Sequence, residues 1–245
     1  MNKKIKNVKI NYTMYGNDKK DTIVLLHGWG QNIEMMKPLG DPFVKNYNIL
    51  IVDLPGHGES EEPDYAWLFR DFVECVHELL EELNIKNPIM MGHSFGGKIS
   101  LLYAATYDVK KLVVFGSPFR KEIKKPSLKT KVLKGMKKVP VINKLEGFAK
   151  KHMGSTDYRN ASPIMREVLV NHVNYDITEF VKKIKAPTLI VWGTNDQAVD
   201  IEDAYRLEEL ISGSGVVVYE GATHYAYLER LGQTINVLRS FLESR

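Results

Sequence analysis

The length, composition and charge of this chain are those of a globular protein. It has 245 residues, of which 44% are hydrophobic and 26% are charged, and its formal net charge is +4. These values exclude a disordered tail, a collagen-like fibre and a low-complexity array, and the length fits one domain or at most two. Cys75 is the single cysteine, so an intrachain disulfide and a cysteine-built metal site are also excluded.

The sequence gives no sign of a membrane segment. No apolar run reaches the roughly 20 residues that a membrane span needs. Residues 1–10 are basic, but no apolar run follows them, so they predict neither a signal peptide nor an anchor. On these grounds we expect a reduced, cytoplasmic setting.

Short apolar runs predict the strands of a sheet. Residues 8–14 alternate with period two, which is typical of a strand with one exposed face. Six later runs are continuous and rich in Val and Ile, as in strands that are covered on both faces. These runs are residues 22–26, 48–53, 88–91, 111–115, 187–192 and 215–219.

Helical patterns lie between the predicted strands. An apolar stripe recurs every three or four residues and consists of Leu68, Phe72, Val76, Leu79 and Leu83. Further helices are predicted at residues 99–107, 201–210 and 231–242. The alternation of strand and helix predicts an α/β protein with a mostly parallel, doubly wound sheet. Ligands of such sheets bind at the carboxyl ends of the strands.

The alternation stops between Ser117 and Ile184. We predict helices there at residues 128–139, 143–152, 163–173 and 177–184, and we interpret the segment as a helical lid over one end of the sheet. The predicted division is therefore a core of residues 1–117 and 185–245 and a lid of residues 118–184. Residues 117–160 carry thirteen Lys and Arg against three Asp and Glu, so this part of the chain is strongly basic.

The most specific motif is Gly92-His93-Ser94-Phe95-Gly96-Gly97, between a predicted strand and a predicted helix. Gly-x-Ser-x-Gly in that setting is the nucleophile elbow, whose serine hydroxyl projects from a strained turn. Glycine flanks the serine because strand and helix approach too closely for side chains. Ser94 is therefore the candidate nucleophile, and the backbone N–H of Phe95 is a candidate oxyanion donor. We assign His93 to packing, since the turn directs it away from Ser94.

A serine nucleophile needs a base, and the base needs an acid to orient it. His224 follows the last predicted strand, in a loop at the carboxyl edge of the sheet. Asp196 follows the strand at residues 187–192 in the same way. The order Ser94, Asp196, His224 is the one known for nucleophile-elbow enzymes. Asp200 is the alternative acid and is otherwise expected to cap the helix that begins at residue 201.

The second oxyanion donor is expected after the strand at residues 22–26, in His27-Gly28-Trp29-Gly30. The backbone N–H of Trp29 is the candidate, and its indole is a candidate wall of the substrate pocket. We assign His27 to holding this loop, and Asp53 and His57 to a tight turn. Three other histidines lie on helical patterns without metal-ligand spacing: His77, His152 and His172.

These residues together resemble the α/β-hydrolases of the lidded, esterase-like branch. The resemblance covers nearly the whole chain and rests on residues 27–30, 53–60 and 92–97, with Asp196 and His224, in family order. It implies an eight-stranded sheet with an antiparallel second strand, a lid after the sixth strand, and a Ser–His–Asp hydrolase that needs no cofactor. Dehalogenases and epoxide hydrolases of this fold are excluded, because they carry Asp at the elbow. One departure from the family is the absence of a proline shortly after the catalytic Asp.

We predict the hydrolysis of a small-molecule carboxylic ester, or of a thioester, through an acyl-enzyme on Ser94. Trp29 and the basic segment also resemble pimeloyl-acyl-carrier-protein methyl ester esterases, which dock an acidic acyl carrier protein on their lid. Two different functions fit the same residues: carbon–carbon bond hydrolysis by this triad, and ligand binding by a non-catalytic receptor of this fold. Nucleic acid is not an expected partner, because basic residues on one lid do not form a groove.

Overall fold

A computed structural model describes residues 1–121 and 156–243 of the chain. The helices predicted at residues 128–139 and 143–152 lie outside the described residues, as does the middle of the predicted lid. In the part of the chain that is described, no helix is both long and apolar enough to cross a membrane.

The described strands form one eight-stranded sheet. They are β1 (Asn2–Ile5), β2 (Val8–Gly16), β3 (Thr22–Leu26), β4 (Asn48–Val52), β5 (Ile89–His93), β6 (Lys111–Phe115), β7 (Thr188–Gly193) and β8 (Ser214–Tyr219). Their order is β1-β2-β4-β3-β5-β6-β7-β8. β2 is antiparallel to β1 and to β4, and all the other pairs are parallel. The eight-stranded, mostly parallel sheet with an antiparallel second strand is therefore confirmed.

Most of the described α-helices lie where helical patterns predict them. They are α1 (Lys37–Gly40), α2 (Phe69–Glu82), α3 (Ser94–Ala104), α4 (Thr156–Asn160), α5 (Pro163–Asn174), α6 (Thr178–Val181), α7 (Glu202–Leu210), α8 (Ala226–Glu229) and α9 (Leu231–Glu243). Three of them match no predicted helix: α1, α4 and α8. α3 ends at Ala104 where the prediction extends to residue 107, and α6 covers only part of the predicted helix 177–184. Two helix starts also differ. α3 begins at Ser94 itself, and Leu68 precedes α2, where it is 64% exposed and lies outside the apolar stripe.

Hydrophobic side chains cover both faces of the sheet. Every residue of β4, β5, β6 and β7 is buried, as the continuous apolar runs predict. On one face, Val24 belongs to a core cluster with Phe72 of α2 and Ile99 of α3. On the other face, Leu25 belongs to a cluster with Leu238 of α9. This burial fixes the strands, so the loops at their shared carboxyl edge start from a rigid platform.

The described helices between β6 and β7 are attached to the core by buried polar contacts. Lys98 of α3 is 1% exposed, and its Nζ donates to the backbone carbonyl of His172 on α5 over 2.8 Å. Burial lowers the pKa of Lys98 to about 8. Ser162 caps α5 by accepting from the N–H of Met165 at 3.1 Å, in agreement with the helix start predicted there. α5 is therefore held against the helix that begins at Ser94.

Candidate active site

The turn between β5 and α3 holds Ser94 in a conformation that only close backbone packing maintains. Ser94 has φ of +51°, in the left-handed region that L-residues rarely adopt. A Cβ atom on Gly96 would press on the backbone carbonyls of Leu26 and His27, and one on Gly92 would press on the carbonyl of Gly96. The N–H of Gly96 donates to the carbonyl of His27 over 3.0 Å. The predicted elbow geometry is therefore present, with glycine required at both flanks.

Asp196 and His224 meet at the same edge of the sheet. Nδ1 of His224 lies 2.7 Å from Oδ2 of Asp196. Oδ1 of Asp196 accepts from the N–H groups of Ala198 at 2.8 Å and Val199 at 2.9 Å, so both carboxylate oxygens are engaged. The side chain of Asp196 is 1% exposed and that of His224 is 15% exposed. With its proton on Nδ1, His224 has an unprotonated Nε2 that can act as a base.

Gly116, directly after β6, leaves room for this pair. Its φ is +51°, and a Cβ atom there would lie 3.0 Å from Nδ1 of His224 and 3.1 Å from Oδ2 of Asp196. Any side chain at this position would therefore push against the hydrogen bond between the two. The only signal for Gly116 in the sequence is its place directly after the apolar residues 112–115, and this signal does not set it apart from other turn glycines.

Ser94, Asp196 and His224 line one cleft of about 830 Å³. The other described residues that line it are Trp29, Gln31, Thr194, Asn195, Gln197, Ala198, Thr223 and Tyr225. The volume suits a small molecule. The hydrogen bonds among the described residues include none between Ser94 and His224, a separation that is common before substrate binds. Asp200 is not among these lining residues; it accepts from the N–H of Glu202 at 3.0 Å, the capping role predicted for it.

The two candidate oxyanion donors are the residue that follows Ser94 in the chain and a residue that lines the same cleft. Phe95 lies in the first turn of α3, where backbone N–H groups have no partner within the helix and the helix dipole is positive. Trp29 lines the cleft, and its ring meets the ring of Phe95 edge-on at 5.3 Å. The ring of His57 meets the indole from another side at 4.8 Å. The indole is thus part of the cleft wall, held by two aromatic neighbours.

His27 and Asp53 hold the loops around the cleft. His27 is fully buried, its Nε2 accepts from the N–H of Leu54 at 3.0 Å, and its Nδ1 lies 2.7 Å from the carbonyl of Gly28. Burial lowers the pKa of His27 to about 4, so the ring is neutral. Asp53 is buried and accepts from the N–H of Ile33 at 2.7 Å. Both residues have the supporting positions that the sequence analysis assigned to them.

His93 has a more specific contact than the packing assigned to it. Its side chain does not line the cleft that Ser94 lines, but Nε2 lies 3.0 Å from the backbone carbonyl of His224. The side chain is fully buried, and burial followed by the nearby charge of His224 lowers its pKa to about 3. Sequence reasoning missed this bond because the two residues are 131 positions apart.

The remaining histidines of the described chain lie away from the cleft lining. The ring of His77 stacks on Tyr107 at 3.7 Å. His172 is buried against Phe69 and Phe95, its Nδ1 has no hydrogen-bond partner among the described residues, and burial lowers its pKa well below the ordinary value. Within residues 1–121 and 156–243, no group of three or more His, Cys, Asp or Glu side chains could hold a metal ion.

A serine at the turn after one parallel strand, with an Asp–His pair at the ends of two others, defines the hydrolase class of the doubly wound α/β proteins. Residues 21–127 and 141–231 match the family described as alpha/beta hydrolase fold. The match spans most of the chain, which therefore belongs to that family.

Named relatives and a solved structure agree with this assignment. Lipase 1 of Psychrobacter immobilis is 27% identical over 265 residues, which cover 97% of this chain and 82% of the lipase. The pimeloyl-[acyl-carrier protein] methyl ester esterase of Aliivibrio fischeri is 25% identical over 243 residues, covering 90% of this chain and 93% of the esterase. The structure of an esterase from Exiguobacterium antarcticum superposes with a TM-score of 0.78 at 23% identity and covers 99% of both chains. The chain is a hydrolase of this fold.

Proposed function

We propose that this ester hydrolase works by nucleophilic catalysis, with Ser94 as nucleophile, His224 as base and Asp196 as the partner that orients the base. The observation that carries the proposal is the 2.7 Å contact between His224 and Asp196 beside the cleft that Ser94 lines. Esterase and lipase relatives that align over most of the chain support ester bonds as the target.

The acylation step follows from the positions of the three side chains. Nε2 of His224 takes the proton of Ser94 Oγ as the hydroxyl attacks the acyl carbonyl. Asp196 keeps the ring in the tautomer with Nδ1 protonated and stabilises the imidazolium that forms. Two backbone N–H groups, of Trp29 and Phe95, donate to the oxyanion, and each such donor is worth about 3 kcal/mol in comparable sites.

The second half of the cycle reverses these roles. His224 gives its proton to the departing alcohol, and Ser94 is left as an acyl ester. A water molecule then attacks that ester while Nε2 of His224 accepts its proton. As the bond between the acyl carbon and Oγ breaks, His224 returns that proton to Oγ, which releases the acid and restores Ser94 and the neutral base. A thioester would follow the same steps with a thiol as the leaving group.

The test is the hydrolysis of p-nitrophenyl esters from acetate upward by the wild type and by Ser94→Ala. We expect turnover to fall by about 10⁶-fold in Ser94→Ala, because removal of the nucleophile disables the whole triad. A fluorophosphonate should label the wild type and not the variant. Ser214→Ala is the matched control. It removes a hydroxyl at the amino end of β8, opposite to the carboxyl ends that carry the cleft, and should keep full activity.

Two results would contradict the proposal. Near-normal hydrolysis by folded Ser94→Ala would remove Ser94 from the chemistry. Absence of fluorophosphonate labelling in the folded wild type would mean that Ser94 is not activated. The same substrate panel, extended with a vinylogous diketone, separates ester cleavage from carbon–carbon bond hydrolysis, and the preferred acyl length measures the pocket.

A carrier-bound methyl ester is a second candidate substrate. It is supported by the Aliivibrio fischeri relative and by the basic composition of residues 117–160, which would complement an acidic carrier protein. For an acyl-carrier methyl ester, KM should rise steeply between 50 and 500 mM salt, whereas for the free methyl ester it should not. The double variant Lys137→Glu with Lys138→Glu should raise KM for the carrier form alone. The matched pair Lys19→Glu with Lys20→Glu should have no effect, and equal salt dependence for both esters would exclude the carrier.

The division into a core and a lid of residues 118–184 stays a proposal, as does a cytoplasmic location. The lid is supported by the place of α4, α5 and α6 between β6 and β7, and by the Lys98 bond to α5. Deletion of residues 122–155 with a short Gly-Ser linker tests it. A lid predicts altered acyl-length preference with Ser94 still labelled, whereas an unchanged substrate profile would contradict it.

A further inference from the structure

We propose that His93 is a positioning residue, which fixes the base His224 relative to the nucleophile Ser94. The inference rests on the proposed roles of Ser94, Asp196 and His224. His93 precedes Ser94 in the chain, and its Nε2 lies 3.0 Å from the backbone carbonyl of His224. One residue therefore connects the backbone of the nucleophile to the backbone of the base.

This bond restrains a motion that Asp196 leaves open. Asp196 contacts the imidazole of His224 at one atom, Nδ1, and a single hydrogen bond lets the ring pivot about that atom. The backbone carbonyl of His224 supplies a second fixed point, on the main chain of the same residue. With both points held, Nε2 of His224 has a defined position towards Ser94 Oγ.

The ring of His93 is itself held in place. It is fully buried, with its centroid 4.7 Å from the ring of His224, 5.3 Å from that of Tyr225 and 4.9 Å from that of Tyr227. Burial keeps the imidazole neutral, so it has one proton. Acceptor oxygens face both ring nitrogens, the carbonyl of His224 at 3.0 Å from Nε2 and Oε1 of Gln31 at 3.3 Å from Nδ1. We place the proton on Nε2, at the shorter contact, so the contact of Nδ1 with Gln31 is not a hydrogen bond.

The other edge of the same ring faces the loop that carries Trp29. Oε1 of Gln31 lies 3.3 Å from Nδ1 of His93, and it accepts from the N–H of Gly28 at 3.0 Å. A Cβ atom on Gly28 would come within 2.8 Å of Nδ1 of His93, so backbone and ring are in close contact. His93 thus lies where the nucleophile turn, the base loop and the candidate oxyanion loop come together.

Loss of the Nε2–H group should therefore lower kcat and leave KM nearly unchanged. His93 is not among the residues that line the cleft, so its replacement removes no direct contact with a substrate. It would instead let Nε2 of His224 drift from Ser94, and a displacement of about 1 Å can cost on the order of 100-fold in rate.

The experiment compares three replacements at one position. His93→Gln carries an NH2 group the same number of bonds from the backbone as Nε2, whereas His93→Asn carries it at the place of Nδ1. His93→Phe fills the space with no donor. Each is assayed for kcat and KM on a p-nitrophenyl ester, for the rate of fluorophosphonate labelling and for Tm.

We expect His93→Phe and His93→Asn to lose about 30- to 100-fold in kcat and in labelling rate, with KM within about twofold of the wild type. His93→Gln should stay within about fivefold of the wild-type kcat. If His93→Phe does not fold, the difference in kcat between His93→Gln and His93→Asn tests the proposal. The proposal would be overturned if the loss in kcat across the variants followed the loss in Tm and did not depend on a donor at the position of Nε2.

The outcome is separable from that of the proposed function. If folded Ser94→Ala is as active as the wild type, the triad itself is wrong. If Ser94→Ala is inactive while all three His93 variants keep wild-type kcat, only the positioning role is wrong.

Discussion

The turn that carries Ser94 and the loop that carries His224 are held by different physical means. Ser94 keeps its positive φ because Gly92 and Gly96 let three backbone segments come into contact. Any added Cβ atom would disrupt this close contact. His224 lies in a loop and depends on hydrogen bonds to Asp196 and His93, which can be removed singly. The contrast implies that side chains added at the two glycines of the turn destabilise the fold, whereas changes to the hydrogen bonds of His224 slow the reaction and leave the fold intact.

Gly96→Ala tests the steric constraint at the Ser94 turn and should have the largest effect on stability. Its Cβ would overlap the backbone carbonyls of Leu26 and His27, which β3 holds in place. We expect the free energy of unfolding to fall by roughly 4 kcal/mol or more, measured by urea denaturation. Gly232→Ala is the matched control, since a Cβ atom there meets nothing within 4 Å, and it should stay within about 1 kcal/mol of the wild type. Equal stability of the two variants would refute the steric account.

Asp196→Asn tests the hydrogen bond that orients His224. The amide keeps the shape of the carboxylate but neither favours the Nδ1–H tautomer nor stabilises the imidazolium. We expect kcat to fall by about 10³- to 10⁴-fold, with little change in Tm. Asp200→Asn should stay within about threefold of the wild type. A larger loss in Asp200→Asn than in Asp196→Asn would exchange the two assignments.

Acid should weaken the fold through three buried histidines. Burial lowers the pKa of His27 to about 4 and that of His93 to about 3, and it also lowers the pKa of His172. The unfolded chain therefore binds more protons below its ordinary histidine pKa, and stability is lost as the pH falls from about 6 towards 4. Each group contributes about 1.4 kcal/mol per pH unit, so the three together give roughly 4 kcal/mol per unit.

The measurement is the free energy of unfolding in urea at several pH values over that range. His172→Phe keeps an aromatic ring in the apolar site and should reduce the slope by about one proton. A slope that His172→Phe leaves unchanged would show that another group takes up the proton.

Gly116→Ala combines the two effects, because its added methyl group would disturb the hydrogen bond between His224 and Asp196 by steric contact. It would press on Nδ1 of His224 and Oδ2 of Asp196 and would also strain the positive φ of this residue. We expect a loss of about 10-fold in kcat and about 1 kcal/mol in stability. Gly213→Ala has a positive φ but meets nothing within 4 Å, so it should show the stability loss alone. Equal kcat in both variants would mean that the pair tolerates the methyl group.

The sequence predicts those parts of the molecule whose signals are contiguous. The buried strands appear as apolar runs, and the elbow at Ser94 is a six-residue motif. β1 escaped prediction because three of its four residues are polar and its pairing partner is β2 alone. A strand with so few apolar residues shows neither an apolar run nor an alternating pattern in the sequence.

The missed features of the site are contacts across long sequence distances. His93 and His224 are 131 positions apart, and no local pattern indicates that one ring donates to the backbone of the other. Gly116 looks like an ordinary turn glycine until the His–Asp pair is seen beside it. Lys98 would be expected in solvent, and its partners are distant in sequence: the carbonyl of His172, 74 positions later, and the ring of Phe69, 5.1 Å from Nζ.

The strand order has a consequence for synthesis on the ribosome. β5 lies against β3, and β6, β7 and β8 each lie against the strand that is translated just before them. The turn with Ser94 can therefore form while the loop with His224, beyond β8, is still to be made. With the roles proposed here, a nascent chain carries a serine that has no base to activate it, and its reactivity begins only when β8 docks.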